Sequence, residues 1–301
     1  MTKILVCGAN GQLGQSIRSI HDQYIDLEMV FTDIEELDIC NPDQLITYTQ
    51  QADIDYLINC AAYTAVDKAE HEQVMARKLN ADAVKNIGIA ATQNNFKVIH
   101  ISTDYVFDGK TFKPYSENVL AVPESFYGQT KLLGEKYLME TQPDSMIIRT
   151  AWLYSEFGNN FVKTMIKLGK QKSELSIVAD QVGSPTYAID LAQAILTIIT
   201  KIHNGIYIFK PGIYHYSNEG VCSWYDFTLY IHRIMGIDCK ITPIESKDYP
   251  TAAPRPFYSV LNKSKIKTSY KINIPHWGWS LEKCLCILKA DRSVGIQEIT
   301  N

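Results

Sequence analysis

The first 150 residues alternate short apolar runs with longer amphipathic segments, and this alternation most limits the folds open to the chain. Runs that are apolar on both faces are typical of strands buried between two layers, and the segments between them have helical spacing. We therefore predict an α/β fold, a doubly wound parallel Rossmann-type sheet covered by helices. The predicted strands are residues 3–7, 28–32, 56–60, 98–102 and 146–150, and the predicted helices include 12–21 and 72–94.

The pattern loosens after residue 150, where loops punctuated by proline become frequent. This change predicts a smaller C-terminal substrate domain that is interleaved with the first domain. We expect the dinucleotide-binding domain to comprise residues 1–172 and 187–222, and the substrate domain to comprise 173–186 and 223–301. Further predicted elements are helices at 160–172, 189–202 and 223–235 and strands at 174–178 and 206–217, the last broken at Pro211-Gly212.

Charge and composition argue against several classes of protein. The net charge is −4, so no overall basic field attracts nucleic acid or a membrane surface. No apolar stretch approaches the ~18 residues of a membrane span, and the N-terminal run is too short for a signal peptide. The seven cysteines are irregularly spaced, which favours reduced thiols in the cytoplasm over a disulfide framework. The histidines form no metal-binding pair, so no metal site is predicted.

Three glycines follow the first predicted strand and open the first predicted helix. Gly8, Gly11 and Gly14 allow a tight turn and a close approach of the backbone to a pyrophosphate, which then lies at the helix N-terminus. Asp33 follows the second strand, where a carboxylate accepts hydrogen bonds from ribose hydroxyls and repels a 2′-phosphate, which favours NADH. Asp38 is also close in sequence, so which acid faces the ribose stays open, and either one as a solvated loop residue is an alternative.

A tyrosine and a lysine four residues apart predict the chemistry. Tyr127 and Lys131 share one face of a helix, and Thr103 ends the strand at 98–102, where ligands bind in open α/β sheets. We expect Tyr127 to supply a proton to a carbonyl that receives hydride from the nicotinamide. Lys131 is expected to bind the nicotinamide ribose and to lower the pKa of the phenol. Thr103 is placed to bind a substrate oxygen.

Several longer motifs resemble the extended short-chain dehydrogenases and, more narrowly, the dTDP-4-dehydrorhamnose reductase family. Matching blocks run from residue 3 to about residue 265, and STDYVFDG, GNNFVK and DQVGSPT are the more specific ones. The resemblance implies reduction of the C4 ketone of a dTDP-4-dehydro-6-deoxy-L-hexose, the last step of dTDP-L-rhamnose synthesis. The motifs are Gly8-Ala-Asn-Gly-Gln-Leu-Gly14, Asn59-Cys-Ala-Ala-Tyr-Thr64, Ser102-Thr-Asp-Tyr-Val-Phe-Asp-Gly109, Tyr127-Gly-Gln-Thr-Lys-Leu-Leu-Gly-Glu135, Gly158-Asn-Asn-Phe-Val-Lys163 and Asp180-Gln-Val-Gly-Ser-Pro-Thr186.

The same resemblance assigns site residues. It implies a catalytic set of Thr103, Tyr127 and Lys131, and sugar contacts from Thr103, Asp104 and Trp152. The loop from Arg255 to Leu261 resembles a family loop near the sugar nucleotide, so Arg255 is expected to bind the diphosphate, with an ordinary surface arginine as the alternative. Family members use NADPH and some also NADH, so the preference stays open. The expected cofactor residues are Gly8, Gly11, Gln12, Leu13, Gly14, Asp33, Asp38, Ile39, Ala62, Tyr63, Thr64, Tyr127 and Lys131.

Two departures from the family concern assembly. Some members dimerise around a magnesium ion held by acidic residues, one of them just after the glycine turn. Here that stretch reads Gln15-Ser16, so Mg²⁺ is not supported and a metal-bridged dimer is not expected, which leaves an ordinary homodimer open. The segment 204–212 is longer than usual, and we interpret it as a surface hairpin or an oligomer contact.

Two other functions are compatible with the same frame. A relative of this family is the regulatory subunit of methionine adenosyltransferase, so a non-catalytic binding subunit is one alternative. Another nucleotide-sugar enzyme, such as a 4-epimerase or a dehydratase, is the second. A dehydratase of this type is expected to carry an Asp-Glu pair after the strand-end threonine, and here Asp104-Tyr105 follows Thr103.

Overall fold

Six parallel strands form the central sheet of the molecule, which confirms the predicted fold class. The computed structural model describes residues 1–297. The strand order is β10-β5-β4-β3-β1-β2, and every neighbouring pair is parallel. The order reverses at β1, so a crevice opens beyond its carboxyl end, where ligands bind in doubly wound folds. These strands are β1 Thr2–Cys7, β2 Leu27–Thr32, β3 Tyr56–Asn59, β4 Lys97–Thr103, β5 Met146–Thr150 and β10 Gly212–His215.

Helices cover both faces of this sheet. Ile4 and Val6 face one layer, and Leu5, between them, faces the other, as expected for a strand buried on two sides. All three are fully buried, and each such side chain contributes about 1.5–3 kcal/mol to the hydrophobic term. The helices are α1 Gln12–Ile20, α2 Pro42–Ala52, α3 Val66–Ala69, α4 Gln73–Arg77, α5 Ala83–Asn94, α6 Phe126–Thr141, α7 Phe161–Gln171, α8 Ala188–His203, α9 Trp224–Met235, α10 Ser264–Tyr270 and α11 Trp277–Gln297.

Three small two-stranded sheets belong to the second half of the chain. Strand β7 (Glu174–Val178) pairs in parallel with β12 (Lys240–Ile244). A separate core that includes Phe227, Ile231 and Leu281 lies beside these elements. The division into two interleaved domains stays a prediction, which this separate core supports. The remaining strands are β6 Leu153–Tyr154, β8 Val182–Gly183, β9 Thr186–Tyr187 and β11 Cys222–Ser223.

The segment predicted as a strand at 206–217 is strand only at Gly212–His215. Pro211 cannot donate a ladder hydrogen bond, and Gly212 has a φ of 120°, so the extended run is interrupted there. Residues before Pro211 form an irregular connection rather than a surface hairpin, and the alternative of an oligomer contact stays a prediction. Phe209 packs against Tyr56 with ring centroids 6.0 Å apart, which attaches the connection to the edge of the sheet core.

The structure also bears on the expectations about membranes, thiols and metals. Within residues 1–297, every helix falls short of the length and apolar character needed to cross a bilayer. The described residues include all seven cysteines, and each of them is a free thiol. In the same part of the chain, no three His, Cys, Asp or Glu side chains come close enough together to hold a metal ion.

Candidate active site

The glycine turn lies at the carboxyl end of β1, against the loop that follows β3. Gly8 has a φ of +73°, and a Cβ placed there would lie 2.5 Å from the backbone nitrogen of Ala61. A Cβ at Gly14 would lie 2.5 Å from the carbonyl oxygen of Gly8. Among the described residues, none caps the N-terminus of α1 with its side chain, because the N-cap is Gly11. The tight backbone and the uncapped first turn fit the pyrophosphate of a dinucleotide.

Gly8→Ala is expected to destabilise the chain and to weaken dinucleotide binding about 10-fold or more. The new methyl group meets backbone rather than a movable side chain, and alanine at this positive φ costs about 1–3 kcal/mol. Thermal unfolding and NADPH titration by fluorescence measure the two effects. Gly236→Ala is the matched control, since Gly236 has a φ of +65° and nothing within 4 Å of an added Cβ. Equal losses in both variants would mean that φ alone, and not the close approach, causes the effect.

The two candidate ribose acids lie in different surroundings. The Asp33 carboxylate accepts hydrogen bonds from the backbone N–H groups of Asn10 (2.9 Å) and Ile34 (2.9 Å), so it is bound to the glycine turn itself. The Asp38 carboxylate accepts from the N–H of Cys40 at 2.8 Å, within its own loop. Ile39, the neighbouring candidate, is buried. The structure therefore places Asp33 nearer the glycine turn than its position in the sequence alone indicates.

A buried asparagine fixes the loop that carries the nicotinamide-side candidates. Asn80 is fully buried in the π-helical turn Lys78–Asp82, which interrupts the helix predicted at 72–94. Its side chain accepts from the N–H of Tyr63 (2.8 Å) and donates to the Tyr63 carbonyl (3.1 Å) and to the Thr130 hydroxyl (3.1 Å). The loop is thereby tied to α6. Of its other candidates, Ala62 is half-buried and Thr64 is exposed.

Gln12, at the first position of α1, joins the glycine turn to a loop of the second half. Its side-chain oxygen accepts from the Asn160 amide (2.9 Å) and the Ser155 hydroxyl (3.2 Å). Our sequence reasoning assigned no role to Ser155 or Asn160, although the GNNFVK motif was a signal at that place. Leu13, the next candidate, is buried beneath the turn.

Thr103 and Tyr127 meet at the carboxyl end of β4, where a hydrogen bond joins their side chains. Ser125 caps α6 by accepting from the N–H of Gly128 at 3.1 Å, so Tyr127 lies in the first turn of the helix. Tyr127 is buried, and its ring contacts the Tyr105 ring edge-on with centroids 5.5 Å apart. Burial raises the pKa of its hydroxyl to about 12, and a hydrogen bond with Thr103 partly counters this. The phenol is therefore a firmly protonated donor.

Lys131 lies one turn further along α6 and is 2% exposed. Its ammonium donates to the carbonyl oxygen of Ile101 at 2.7 Å. Burial lowers the pKa of Lys131 to about 8, and the nearby Glu135 carboxylate raises it in part. The pKa of Tyr127 is raised, not lowered, in this structure, so the expected effect of Lys131 on the phenol is absent from the described contacts.

Asp104 and Trp152 lie beside this pair. The Asp104 carboxyl is buried and accepts from the Thr103 hydroxyl at 3.1 Å, and burial raises its pKa to about 6. Trp152 has a φ of 49°, and its ring stacks on Trp224 with centroids 3.4 Å apart. Gly183 makes room for Trp152, since a Cβ there would lie 2.6 Å from the indole. A strained backbone held by packing is typical of ligand sites.

A cavity of about 900 Å³ opens next to these residues, between α7, α9 and β7. Its wall includes Phe161, Trp224 and Tyr105, and the Tyr105 ring connects it to Tyr127. Arg255 also lines it and donates to the carboxylate of Asp67 at 2.6 Å, with 20% of its side chain exposed. The cavity thus has aromatic walls and two cationic residues, Arg255 and Lys172, features that suit a nucleoside diphosphate. Sequence reasoning assigned no role to Trp224 or to Asp67, both of which line the cavity.

Comparison with known proteins identifies relatives over nearly the whole chain. The family model described as the RmlD substrate binding domain matches residues 1–289. A dTDP-4-dehydrorhamnose reductase from Aggregatibacter actinomycetemcomitans is 38% identical over 288 residues, which cover 94% of this chain and 98% of that protein.

Solved structures agree with these sequence relatives. The crystal structure of a dTDP-4-dehydrorhamnose reductase from Clostridium acetobutylicum has a TM-score of 0.89 and 42% identity, covering 96% of this chain and 100% of that one. The enzyme of the same name from Bacillus anthracis, solved in complex with NADP, has a TM-score of 0.88 and 36% identity, covering 95% and 99%. The likeness in fold therefore extends over nearly the whole chain.

Proposed function

This chain belongs to the dTDP-4-dehydrorhamnose reductase family, and from that membership we propose how it carries out the family's reaction. It reduces the C4 ketone of dTDP-4-dehydro-L-rhamnose to dTDP-L-rhamnose, the final step of dTDP-rhamnose synthesis, with NADPH or NADH. The observation that carries the proposal is the meeting of Thr103 and Tyr127 at the end of β4, with Lys131 one turn away. That end of the sheet is also where the glycine turn lies.

Each residue of the set has a distinct task. The glycine turn at Gly8, Gly11 and Gly14 would hold a reduced dinucleotide, which would supply the hydride that the carbonyl carbon receives. Tyr127 donates its proton to the oxygen that becomes the hydroxyl, and Thr103 holds that oxygen and the phenol together. Lys131 binds the nicotinamide ribose, because a buried ammonium forms stronger hydrogen bonds than one in water. Asp104 and Trp152 orient the sugar.

The cavity is proposed to hold the dTDP part of the substrate. Phe161 and Trp224 offer aromatic faces on which a base can stack. Arg255 supplies the positive charge for the diphosphate, in exchange for its present partner Asp67. In this arrangement the nucleotide anchors the sugar, and the ketone reaches Tyr127 past the ring of Tyr105.

Arg255→Ala is expected to raise the KM for the dTDP-sugar about 10-fold or more with a smaller change in kcat, since a charge-assisted hydrogen bond contributes about 1.5–3 kcal/mol. Steady-state kinetics at fixed saturating NADPH measure the changes in KM and kcat separately. Arg233→Ala is the matched control, because Arg233 is exposed on α9 and lies over the Tyr230 ring. An unchanged KM in the Arg255 variant would remove Arg255 from the diphosphate site.

A direct assay tests the function. The purified chain is mixed with enzymatically prepared dTDP-4-keto-6-deoxyhexose and either NADPH or NADH, with and without a 3,5-epimerase, and loss of reduced-nicotinamide absorbance is followed. We expect turnover that requires the epimerase and a product that co-elutes with dTDP-L-rhamnose. Turnover without the epimerase would point to the D-configured ketone as substrate. Absence of turnover in all four arms would favour the non-catalytic binding role.

Assembly and location complete the proposal. We infer a cytoplasmic enzyme with a small-molecule substrate and without a nucleic-acid or membrane partner, supported by the net charge of −4 and the free thiols. A homodimer that needs no metal is the proposed assembly. Light scattering with and without EDTA tests it, and dissociation by EDTA would contradict it.

A further inference from the structure

Three successive residues of β4 each form a hydrogen bond with a residue on one of three successive turns of α6. The Thr103 hydroxyl bonds with Tyr127, the Ile101 carbonyl accepts from Lys131, and the Ser102 hydroxyl donates to Glu135 at 2.5 Å. Tyr127, Lys131 and Glu135 are four residues apart, so they form one line along the helix. Glu135 is the only one of the three to which the reaction gives no task.

A buried arginine completes the attachment of Glu135. Arg149, on β5, donates from Nε to one carboxylate oxygen at 2.9 Å and from Nη2 to the other at 2.6 Å. Both side chains are 3% exposed, and the guanidinium lies 5.1 Å from the centre of the Phe107 ring. Ser102 on β4 and Arg149 on β5 are register partners in the sheet, so the Glu135 carboxylate is bound to both of these neighbouring strands. A buried ion pair contributes little to stability compared with apolar packing, which argues for a role in specifying position.

We propose that Glu135, held by Arg149 and Ser102, is a positioning residue for hydride transfer, which fixes α6 on the end of β4 and places a carboxylate one helical turn from Lys131. The inference rests on the proposed roles of Tyr127 and Lys131. If Glu135 loses its carboxylate, α6 is free to shift along the strand, and the reacting groups lose their alignment. Small displacements of this kind are costly in enzymes, because the reacting atoms must be closely placed.

The charges around Lys131 make Glu135 its main electrostatic support. Glu135 faces it from α6 itself, Cys60 from the loop after β3, and His100 from β4. Burial lowers the pKa of His100 and raises that of Cys60, so both are neutral near pH 7. Arg149, which forms an ion pair with Glu135, is a second positive charge in the same buried region between α6 and the sheet. Removal of the carboxylate therefore leaves two buried cations without a compensating anion in this region.

Two variants distinguish the effect of the negative charge of Glu135 from the effect of its reach. Glu135→Gln removes the charge but keeps the length of the side chain, whereas Glu135→Asp keeps the charge and shortens the reach. We expect Glu135→Gln to move the alkaline limb of the pH profile to lower pH by at least half a unit, both for kcat/KM and for NADPH affinity measured by fluorescence. We expect Glu135→Asp to leave the limb in place while kcat falls about 10- to 100-fold. The double variant Glu135→Gln with Arg149→Gln avoids an unpaired guanidinium if the single variant fails to fold.

Asp190→Asn is the structural control, because Asp190 is also buried and its carboxylate is bound by Asn218 and Ser280 outside this region. It should lower the melting temperature without moving the alkaline limb. The inference is overturned if the folded Glu135 variants keep the wild-type limb and kcat, or if they match Asp190→Asn in every readout. A wild-type chain that lacks reductase activity would contradict the proposed function. The pH profile of NADPH affinity needs no turnover, so it would still test the role of Glu135.

Discussion

Replacing Tyr127 with phenylalanine is expected to lower kcat by about 10²-fold or more, the usual contribution of a general acid. The ring remains, so its edge contact with Tyr105 and the packing of the first turn of α6 should persist. Only the hydroxyl that meets Thr103 is lost. Single-turnover kinetics with NADPH, together with NADPH affinity, should show a slow chemical step and nearly unchanged cofactor binding.

Tyr137→Phe makes the same chemical change on the same helix, at a half-buried tyrosine whose ring faces Lys85. It should keep the wild-type rate. Full turnover in Tyr127→Phe would mean that another group or a water molecule supplies the proton, and the assignment of the catalytic set would then be wrong. Equal losses in both variants would indicate a general effect on α6 instead.

Local sequence signals predicted the parts of the fold that depend on neighbouring residues. Strands buried on both faces give unbroken apolar runs, so β1 and β5 are found within one residue of their predicted bounds. The glycine turn is equally local, because Gly8 has a positive φ and neither Gly8 nor Gly14 leaves room for a side chain. The spacing of Tyr127 and Lys131 fixes their common helix face before the helix is packed.

Features that depend on distant residues were not predictable. Arg255 and Asp67 pair across 188 positions, and Glu135 and Arg149 meet because β4 and β5 are neighbours in the sheet. The length of strand 206–217 was overestimated because Tyr and Ile favour strands, whereas the segment before Gly212 packs against the side of the sheet core. The π-helical turn at Lys78–Asp82 has no sequence rule that could have placed it.

The pKa values of Tyr127 and Lys131 also depend on residues that are distant in the sequence, so sequence reasoning could not predict them. Sequence reasoning considered the charge of Lys131 and so expected an acidic phenol. Burial is a tertiary property, and here it dominates for both groups, raising the pKa of Tyr127 to about 12 and lowering that of Lys131 to about 8. A site that keeps its proton donor protonated and its lysine marginally charged suits a reductase, since the donor must carry a proton when the ketone binds.

Lys131→Met should lower kcat/KM by about 10²- to 10³-fold, typical of a lost electrostatic group, and should also make the chain more stable near pH 7. A pKa of about 8 in the folded chain, against 10.5 for an ordinary lysine, means that folding disfavours the ammonium by about 3 kcal/mol. The lost hydrogen bond to Ile101 offsets about 1 kcal/mol of that gain.

The predicted change in stability varies with pH, and its direction follows from the protonation of Lys131 in the folded and unfolded chains. Between pH 8 and 10.5 the unfolded wild-type chain binds more protons at this lysine than the folded chain, so the group makes the free energy of unfolding rise with pH. The methionine variant lacks this rise, so its advantage should be constant below pH 8 and should disappear towards pH 10.5. Urea unfolding at several pH values measures it, with exposed Lys136→Met on the same helix as control. A methionine variant that is less stable than wild type at pH 7, yet folded, would show that the buried ammonium stabilises the chain, and activity would then carry no cost in stability at this position.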